Sequence, residues 1–213
     1  MLNNFSELPQ AIQDHIIKTT SGEYEYRDKS VHVTELLYCL RKSYYRRTEL
    51  SEEKEIEQRW FFYRGIIFDQ LWTNLFPRNQ VRVTHRISGG PTIVGKIDFI
   101  EMDDEPTLYE LKTISNKYAI KNGPKEEHVK QIKFYMWCEN IEKVKLIYVS
   151  FAGIAIFEID VSDAESIVQE LEETAKLLYD CLVNEKLPPK TDRNWECKYC
   201  DFSELCSREE SDV

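Results

Sequence analysis

The stretch "GKIDFIEMDDEPTLYELK", residues 95 to 112, carries Asp98, Glu110 and Lys112 on what reads as one β-hairpin. Side chains two apart on a strand project to the same face, so Glu110 and Lys112 point together, and a neighbouring strand can bring Asp98 beside them. Two carboxylates with the backbone carbonyl of Leu111 make an oxygen-rich pocket of the kind Mg²⁺ or Mn²⁺ prefers, with Lys112 beside the ion rather than on it. Such an ion polarises a phosphoryl oxygen and acidifies a bound water, and an ammonium group orients that water; the chemistry is phosphodiester hydrolysis. An exposed Glu-x-Lys pair on a sheet is also a common solvated ion pair, so the hairpin alone leaves both readings open.

The elements that must position these residues follow from periodicity. After Pro77 the pattern has period two, and "QVRVTHRIS", "TIVGKIDFIEM" and "TLYELKTIS" read as three antiparallel strands with "DDEP" as a turn. A helix is expected from about Lys125 to Asn140. Two strands, "VKLIYVSF" and "IAIFEIDV", follow, joined near Gly153, and then a long helix capped by Ser162 or Asp163 that ends before Pro188 and Pro189. Upstream, residues 1 to 30 read as a helix and a loop around Ser21 and Gly22. Thr34 is expected to cap a helix through "TELLYCLRKSYYRRTEL", and a longer helix from about 53 to 75 should face the core through Trp60, Tyr63, Ile67, Leu71 and Leu75. The tail from Lys190 is polar and Cys-rich, without an apolar period, so a metal or the body of the protein must hold it.

Composition bounds the rest. A chain of 213 residues, 42% hydrophobic, supports one sizeable core and not two large domains. "MLNNFSELPQAIQDHI" lacks the features of a secretory signal and no stretch reaches the roughly 20 apolar residues of a spanning helix, so a cytoplasmic location without membrane contact is expected. In a reducing compartment, clustered cysteines point to metal or cofactor ligation. The net charge of −10 argues against coating nucleic acid through overall charge but leaves room for local basic sites. Two are present: "RKSYYRR" at 41 to 47, and the lysines 112, 117, 121, 125, 130 and 133.

"GKID" followed by "YELK" resembles motifs II and III of the PD-(D/E)xK nucleases, particularly their RecB-like branch. "QIKFY" on the next helix matches that branch's Gln-x-x-x-Tyr motif at Gln131 and Tyr135, four positions apart and therefore on one face. The resemblance implies an α/β fold, a restriction-endonuclease-like mixed sheet flanked by helices. It also implies that Asp98 and Glu110 ligate Mg²⁺ or Mn²⁺, that Lys112 assists the attacking water, and that Gln131 and Tyr135 support the geometry. The family's first motif, Gly followed four residues later by His, stands here as "RGIIFDQLW", with Gly65 present and Asp69 at the His position. A carboxylate also suits these hard ions, so Asp69 is read either as a third ligand or as a solvated helix residue.

The tail reads "WECKYCDFSELC", placing Cys197, Cys200 and Cys206 in a Cys-x2-Cys-x5-Cys array that needs a fourth ligand, for which Cys39 is the best candidate. All-thiolate ligation suits either a [4Fe-4S] cluster or a zinc ion. One Cys before the nuclease motifs and three after them resembles the RecB-like nucleases with an iron-sulfur cluster, the CRISPR-associated adaptation nucleases among them. That resemblance covers Cys39 to Cys206 and implies a [4Fe-4S] subdomain built from both chain ends. The chain is then a single domain over 1–213, with a core at about 53–187, an N-terminal helical region over 1–52 and a tail over 190–213. Cys138 and Cys181 read as small core residues, and His15, His32, His85 and His128 show no ligand spacing.

Arg41, Lys42, Arg46 and Arg47 interleave with Tyr44 and Tyr45, a combination that fits a single-stranded DNA groove as well as a helix with one solvated basic face. The family's Cys-x-Arg-x-x-Tyr-Tyr pattern favours DNA. The resemblance implies a metal-dependent exonuclease acting on single-stranded DNA ends, with endonuclease activity open, which trims fragments for CRISPR spacer acquisition beside the CRISPR integrase. A viral or recombination-repair single-strand DNA nuclease would carry the same site. From another class, a non-catalytic DNA-end binding or assembly subunit would keep the fold and the cysteines. Oligomeric state is open, a homo-oligomer included.

Overall fold

The computed structural model describes residues 5–21, 29–49, 54–114 and 121–211. Alternating apolar and polar residues build a six-stranded mixed sheet from β1 (Ser30–His32), β2 (Asn79–Arg86), β3 (Thr92–Glu101), β4 (Thr107–Thr113), β5 (Lys143–Ser150) and β6 (Gly153–Glu158). Strands β2, β3 and β4 form the expected antiparallel meander. β4 and β5 run parallel, which requires a crossover connection, and the helix Glu126–Glu139 lies within it. β1 pairs parallel with the start of β3; "SVH" is too short to show a period-two signature, and the sequence reading missed it.

Strand β3 decides where a site can open. β2 covers one of its two edges from Thr92 to Phe99, so β1 and β4 must share the other. β1 pairs only with Thr92–Val94 and β4 only with Phe99–Glu101, which leaves Gly95–Asp98 without a strand partner on that edge. Period-two alternation also breaks here. Ile97 packs in the main core whereas Phe99 packs in a second cluster, and on β2 Gln80 takes a left-handed φ of 48°, a conformation that costs a non-glycine residue about 1–2 kcal/mol.

Helices cover both faces. We number them α1 (Gln10–Thr20), α2 (Val33–Leu36), α3 (Leu40–Thr48), α4 (Ile56–Thr73), α5 (Glu126–Glu139), α6 (Ala164–Val183), α7 (Asn194–Cys197) and α8 (Ser203–Ser211). On one face Phe68 and Trp72 of α4 pack against Phe99, Leu111, Ile147 and Val149. On the other, Ile132 and Phe134 of α5 and Leu171, Ala175 and Leu178 of α6 share the main core with Ile93, Ile97, Leu108 and Leu146. α6 buries Val168, Leu171, Ala175 and Leu178 at helical spacing, the stripe that amphipathic packing requires.

Three local expectations are corrected. Leu71 and Leu75 are 62% and 75% exposed, not core residues, while Trp60 packs on Phe5 and Tyr63 on His15; α4 is apolar nearly all round, so its period could not single out the sheet-facing side. The helix expected from Thr34 is broken at Leu37–Cys39, and its start is capped by His32 rather than Thr34: Glu35 accepts the His32 N–H at 2.7 Å in a reciprocal capping box. Asp163 stands at the N-cap position of α6 without a side-chain cap, because its carboxylate pairs with Lys133 on α5. The loop expected at Gly22 and the lysine at 117 lie outside the described residues.

His128 gives the fold an acid sensitivity. Tyr148 Oη accepts the Lys125 N–H at 2.8 Å and shares a hydrogen bond of 2.7 Å with His128 Nδ1. Burial, with Lys112 and Lys125 nearby, lowers the His128 pKa to about 3. A lowered histidine pKa means that the unfolded chain takes up a proton first, so stability falls as pH drops below about 6.5 towards 3. At pH 5 this amounts to about 2 kcal/mol, and urea unfolding of the parent should lose that much more than His128→Gln between pH 7.5 and 5. Equal losses would place the acid sensitivity elsewhere.

Candidate active site

The β3–β4 ladder ends at Phe99 against Tyr109, and beyond it the Asp98 side chain replaces the ladder bond: the Leu111 N–H donates to Asp98 Oδ2 at 2.6 Å. The strands therefore part where Asp98 and Glu110 stand. Glu110 is 2% exposed; Lys112 Nζ donates to its Oε1 at 2.7 Å, and its Oε2 is buried without a hydrogen-bond partner. An unsatisfied buried carboxylate oxygen is costly. Burial and then repulsion from Glu110 hold the Asp98 carboxyl well above the usual range, against the opposing pull of Lys112 and the Leu111 hydrogen bond. Burial raises Glu110 as well, with Lys112 opposing. For Lys112, burial favours the neutral amine, but Glu110 and Asp98 outweigh it and the net direction is upward.

α4 brings Asp69 to the same crevice. Gly65, one turn earlier, lies beside the end of β4, where a Cβ would meet Thr113 Oγ1 at 3.4 Å, an ordinary contact. Asp69 is half-buried; burial raises its pKa, while Lys96, the Gln80 hydrogen bonds and Lys112 oppose. Gln80 Nε2 lies 3.2 Å from each Asp69 carboxylate oxygen. Gln80 and Lys96 are participants that the sequence reading missed. Gln80 left no motif signal, since its role depends on the left-handed turn of β2, and Lys96 sat unread between Gly95 and Asp98 in "GKID".

α5 closes the unpaired edge of β3. Gln131 and Tyr135 are both buried, Gln131 Nε2 donates to Tyr135 Oη at 2.9 Å, and the Lys96 N–H donates to the same oxygen at 3.3 Å. Tyr135 thus serves the backbone donor that no strand reaches. Burial first, then Glu110, raises its pKa.

Among the described residues, no three His, Cys, Asp or Glu side chains converge into a ready-made metal cage. The crevice nevertheless fits a hard divalent cation on its own chemistry: buried Glu110 with one oxygen unpartnered, the partly buried Asp98 coupled to it, and a third carboxylate on α4. Mg²⁺ in particular is held by one or two carboxylates with the remaining positions left to water and phosphate oxygens.

At the chain ends, Cys39 lies in the α2–α3 break, Cys197 at the end of α7 and Cys206 in α8. With Cys200 these four unpaired cysteines line one small cavity of about 100 Å³. Protein contacts also fasten the tail. The Cys39 N–H donates to buried Glu196 at 2.9 Å, Arg193 donates to the Leu37 carbonyl at 3.0 Å, and Phe202 packs on Tyr45. Cys181 is buried and Cys138 partly so, both against the main core.

The basic segment is corrected in detail. Tyr44 and Tyr45 are core residues, 9% and 1% exposed, so neither ring can stack on a base. Arg47 is paired with Glu35 and bonded to the Ser30 carbonyl, and Arg41 donates to the Pro188 carbonyl and to Cys206 Sγ. Only Lys42 and Arg46 face an open groove.

The comparisons agree with this arrangement. The PD-(D/E)XK nuclease superfamily matches residues 4–207. A curated relative, the CRISPR-associated exonuclease Cas4 of Saccharolobus solfataricus, is 27% identical over 193 residues, 84% of this chain and 88% of that protein. The crystal structure of SSO0001 superposes with a TM-score of 0.67 at 24% identity, over 92% of this chain and 95% of that one. An alkaline exonuclease from Laribacter hongkongensis does so at 0.52 and 14% identity, over 74% and 91%, and both likenesses concern the fold. No helix among the described residues is long and apolar enough to cross a membrane. With its match running from residue 4 to residue 207 and its strands parting around Asp98 and Glu110, this chain belongs to the PD-(D/E)XK nuclease superfamily and is a nuclease.

Proposed function

We propose that the chain is a metal-dependent deoxyribonuclease whose catalytic groups are Asp98, Glu110 and Lys112, with Asp69 as a third carboxylate, and that it trims single-stranded DNA ends. The observation that carries this reading is Glu110 itself: a buried carboxylate with one oxygen on Lys112 and the other without a partner, coupled to the partly buried Asp98. Bound between them, Mg²⁺ or Mn²⁺ would supply Lewis acidity towards a phosphate oxygen and acidify a water. Asp98, fixed by the Leu111 N–H, and Glu110, fixed by Lys112, would hold the ion, with the Leu111 carbonyl as a further donor on the same strand. Lys112 keeps an ammonium on Glu110, where it would assist the attacking water. Tyr135 and Gln131 hold β3 in place through the Lys96 N–H.

Similarity to a CRISPR-associated exonuclease supports exonucleolytic processing of DNA for spacer acquisition, with the CRISPR integrase as partner, in a cytoplasmic setting. The four cysteines around one cavity support a [4Fe-4S] cluster that ties both chain ends together. The test is cleavage of end-labelled single-stranded and duplex DNA by anaerobically purified protein with Mn²⁺, Mg²⁺ or EDTA. Cutting should need the ion, and Glu110→Ala and Lys112→Ala should each lose about 10²–10³-fold in rate. Parent rates in either variant would remove the catalytic assignment.

A further inference from the structure

An open groove of about 600 Å³ runs between α3, the start of α4 and the cysteine-rich tail. Its walls present three exposed rings, Phe61 at 58%, Phe62 at 50% and Tyr199 at 80%, interleaved with Lys42, Arg46, Lys54 and Lys198. Glu55 and Asp201 are its acidic members, so the lining carries four cations against two anions in a chain of net charge −10. Lys198 and Tyr199 are the two residues enclosed by Cys197 and Cys200, which reading the motif for its cysteines treats as spacers.

One face of α4 relates the groove wall to Asp69. Gln58, Phe62, Gly65 and Asp69 follow at spacings of four, three and four on α4, one helical stripe, with Phe62 about 10 Å along the axis from Asp69. Between them lies Gly65, whose missing side chain leaves the stripe clear beside Thr113 at the end of β4. Lys54 sits 5.4 Å from the Phe62 ring centre and pairs with Asp201 at 2.8 Å, which anchors one wall to the other.

We propose that this groove binds the single strand next to the scissile phosphate, with Phe62 and Tyr199 stacking on unpaired bases and Lys42, Arg46 and Lys198 neutralising phosphates. Exposed rings among cations suit unstacked bases on a charged backbone, and a duplex keeps its base faces covered. The proposal rests on the nuclease reading of the carboxylates and moves base stacking from the buried Tyr44 and Tyr45 to rings that solvent reaches.

The experiment is fluorescence anisotropy of a labelled oligo-dT with the full chain in EDTA, paired with steady-state cleavage in Mn²⁺. Phe62→Ala and Tyr199→Ala should each weaken single-strand binding about tenfold, with Tyr199→Phe retaining most of the affinity and duplex affinity changing less. KM should rise more than kcat falls. Lys198→Gln should reduce the slope of log affinity against log salt by about 0.7. Melting temperatures close to the parent's would show that the tail stays docked. A parent that cuts DNA while both alanine variants keep single-strand affinity and KM within twofold overturns the groove and leaves the nuclease reading standing. Variants that change the sedimenting mass instead of DNA affinity make this face an interface between copies, which also overturns it. A parent that neither binds nor cuts DNA overturns both.

Discussion

Asp98→Asn is expected to melt about 2–4 °C above the parent in EDTA and to cleave DNA roughly 10²–10³-fold more slowly with Mn²⁺. Both effects come from one atom set. The amide oxygen of asparagine can still accept the Leu111 N–H that Asp98 Oδ2 takes at 2.6 Å, so the junction between β3 and β4 keeps its hydrogen bond. What disappears is a buried negative charge beside Glu110, whose Oε2 has no donor of its own. Removing that repulsion is worth about 1 kcal/mol, the size of increment that moves a domain of this length by a few degrees. The same change removes half of the carboxylate pair that a divalent ion requires. Sites that bind cations are built unstable without them, and stability gained with activity lost is the signature of that design. Differential scanning calorimetry in EDTA, with and without Mn²⁺, separates the two effects: the metal-induced rise in melting temperature should shrink in the variant. A variant that melts below the parent would mean that Lys112 already neutralises the pair, and a variant that cuts at the parent rate would remove Asp98 from the chemistry.

The sequence showed strands β3 and β4 because their signals are local. The strand signals of 92–101 and 107–113 and the spacing of Glu110 and Lys112 are properties of a locally extended chain, and they hold in the fold apart from the break between Ile97 and Phe99. Gln131 and Tyr135 were legible for the same reason, one turn apart on a helix. Relations between distant segments were not legible. The edge of β3 is divided between β1 and β4, and that division is set by a three-residue strand with no periodic signature. Whether Tyr45 faces solvent depends on the tail that packs on it through Phe202, about 157 residues downstream, so a basic-aromatic run could be read equally as a core or as a binding face. Similarly, α4 is apolar on most sides, and only the sheet, α1 and the groove decide which of its rings are buried.

Gly95→Ala tests the tightest of these distant relations. A Cβ at position 95 would stand 2.4 Å from Tyr135 Cε1 and 3.1 Å from its hydroxyl, well inside contact distance. The ring is 2% exposed and held by Gln131, so it cannot swing away as the end of a surface side chain would. Overpacking of this kind costs about 1–3 kcal/mol, and the displacement should also break the bond from the Lys96 N–H to Tyr135 Oη, on the edge of β3 that neither β1 nor β4 pairs. We therefore expect Gly95→Ala to lose stability by that amount, and cleavage to fall with it, because Asp98 lies three residues on along the same unsupported edge. Tyr135→Leu alone should destabilise by removing a buried ring. In the double variant the new methyl enters the space the ring has left, so the combined loss should fall short of the sum by about 1 kcal/mol or more in urea unfolding. Strict additivity would mean that position 95 is glycine for a reason other than Tyr135. A short sum would establish that the helix carrying Gln131 and Tyr135 is seated directly on the backbone of the catalytic strand, so that glycine in "GKID" and tyrosine in "QIKFY" are two halves of one contact.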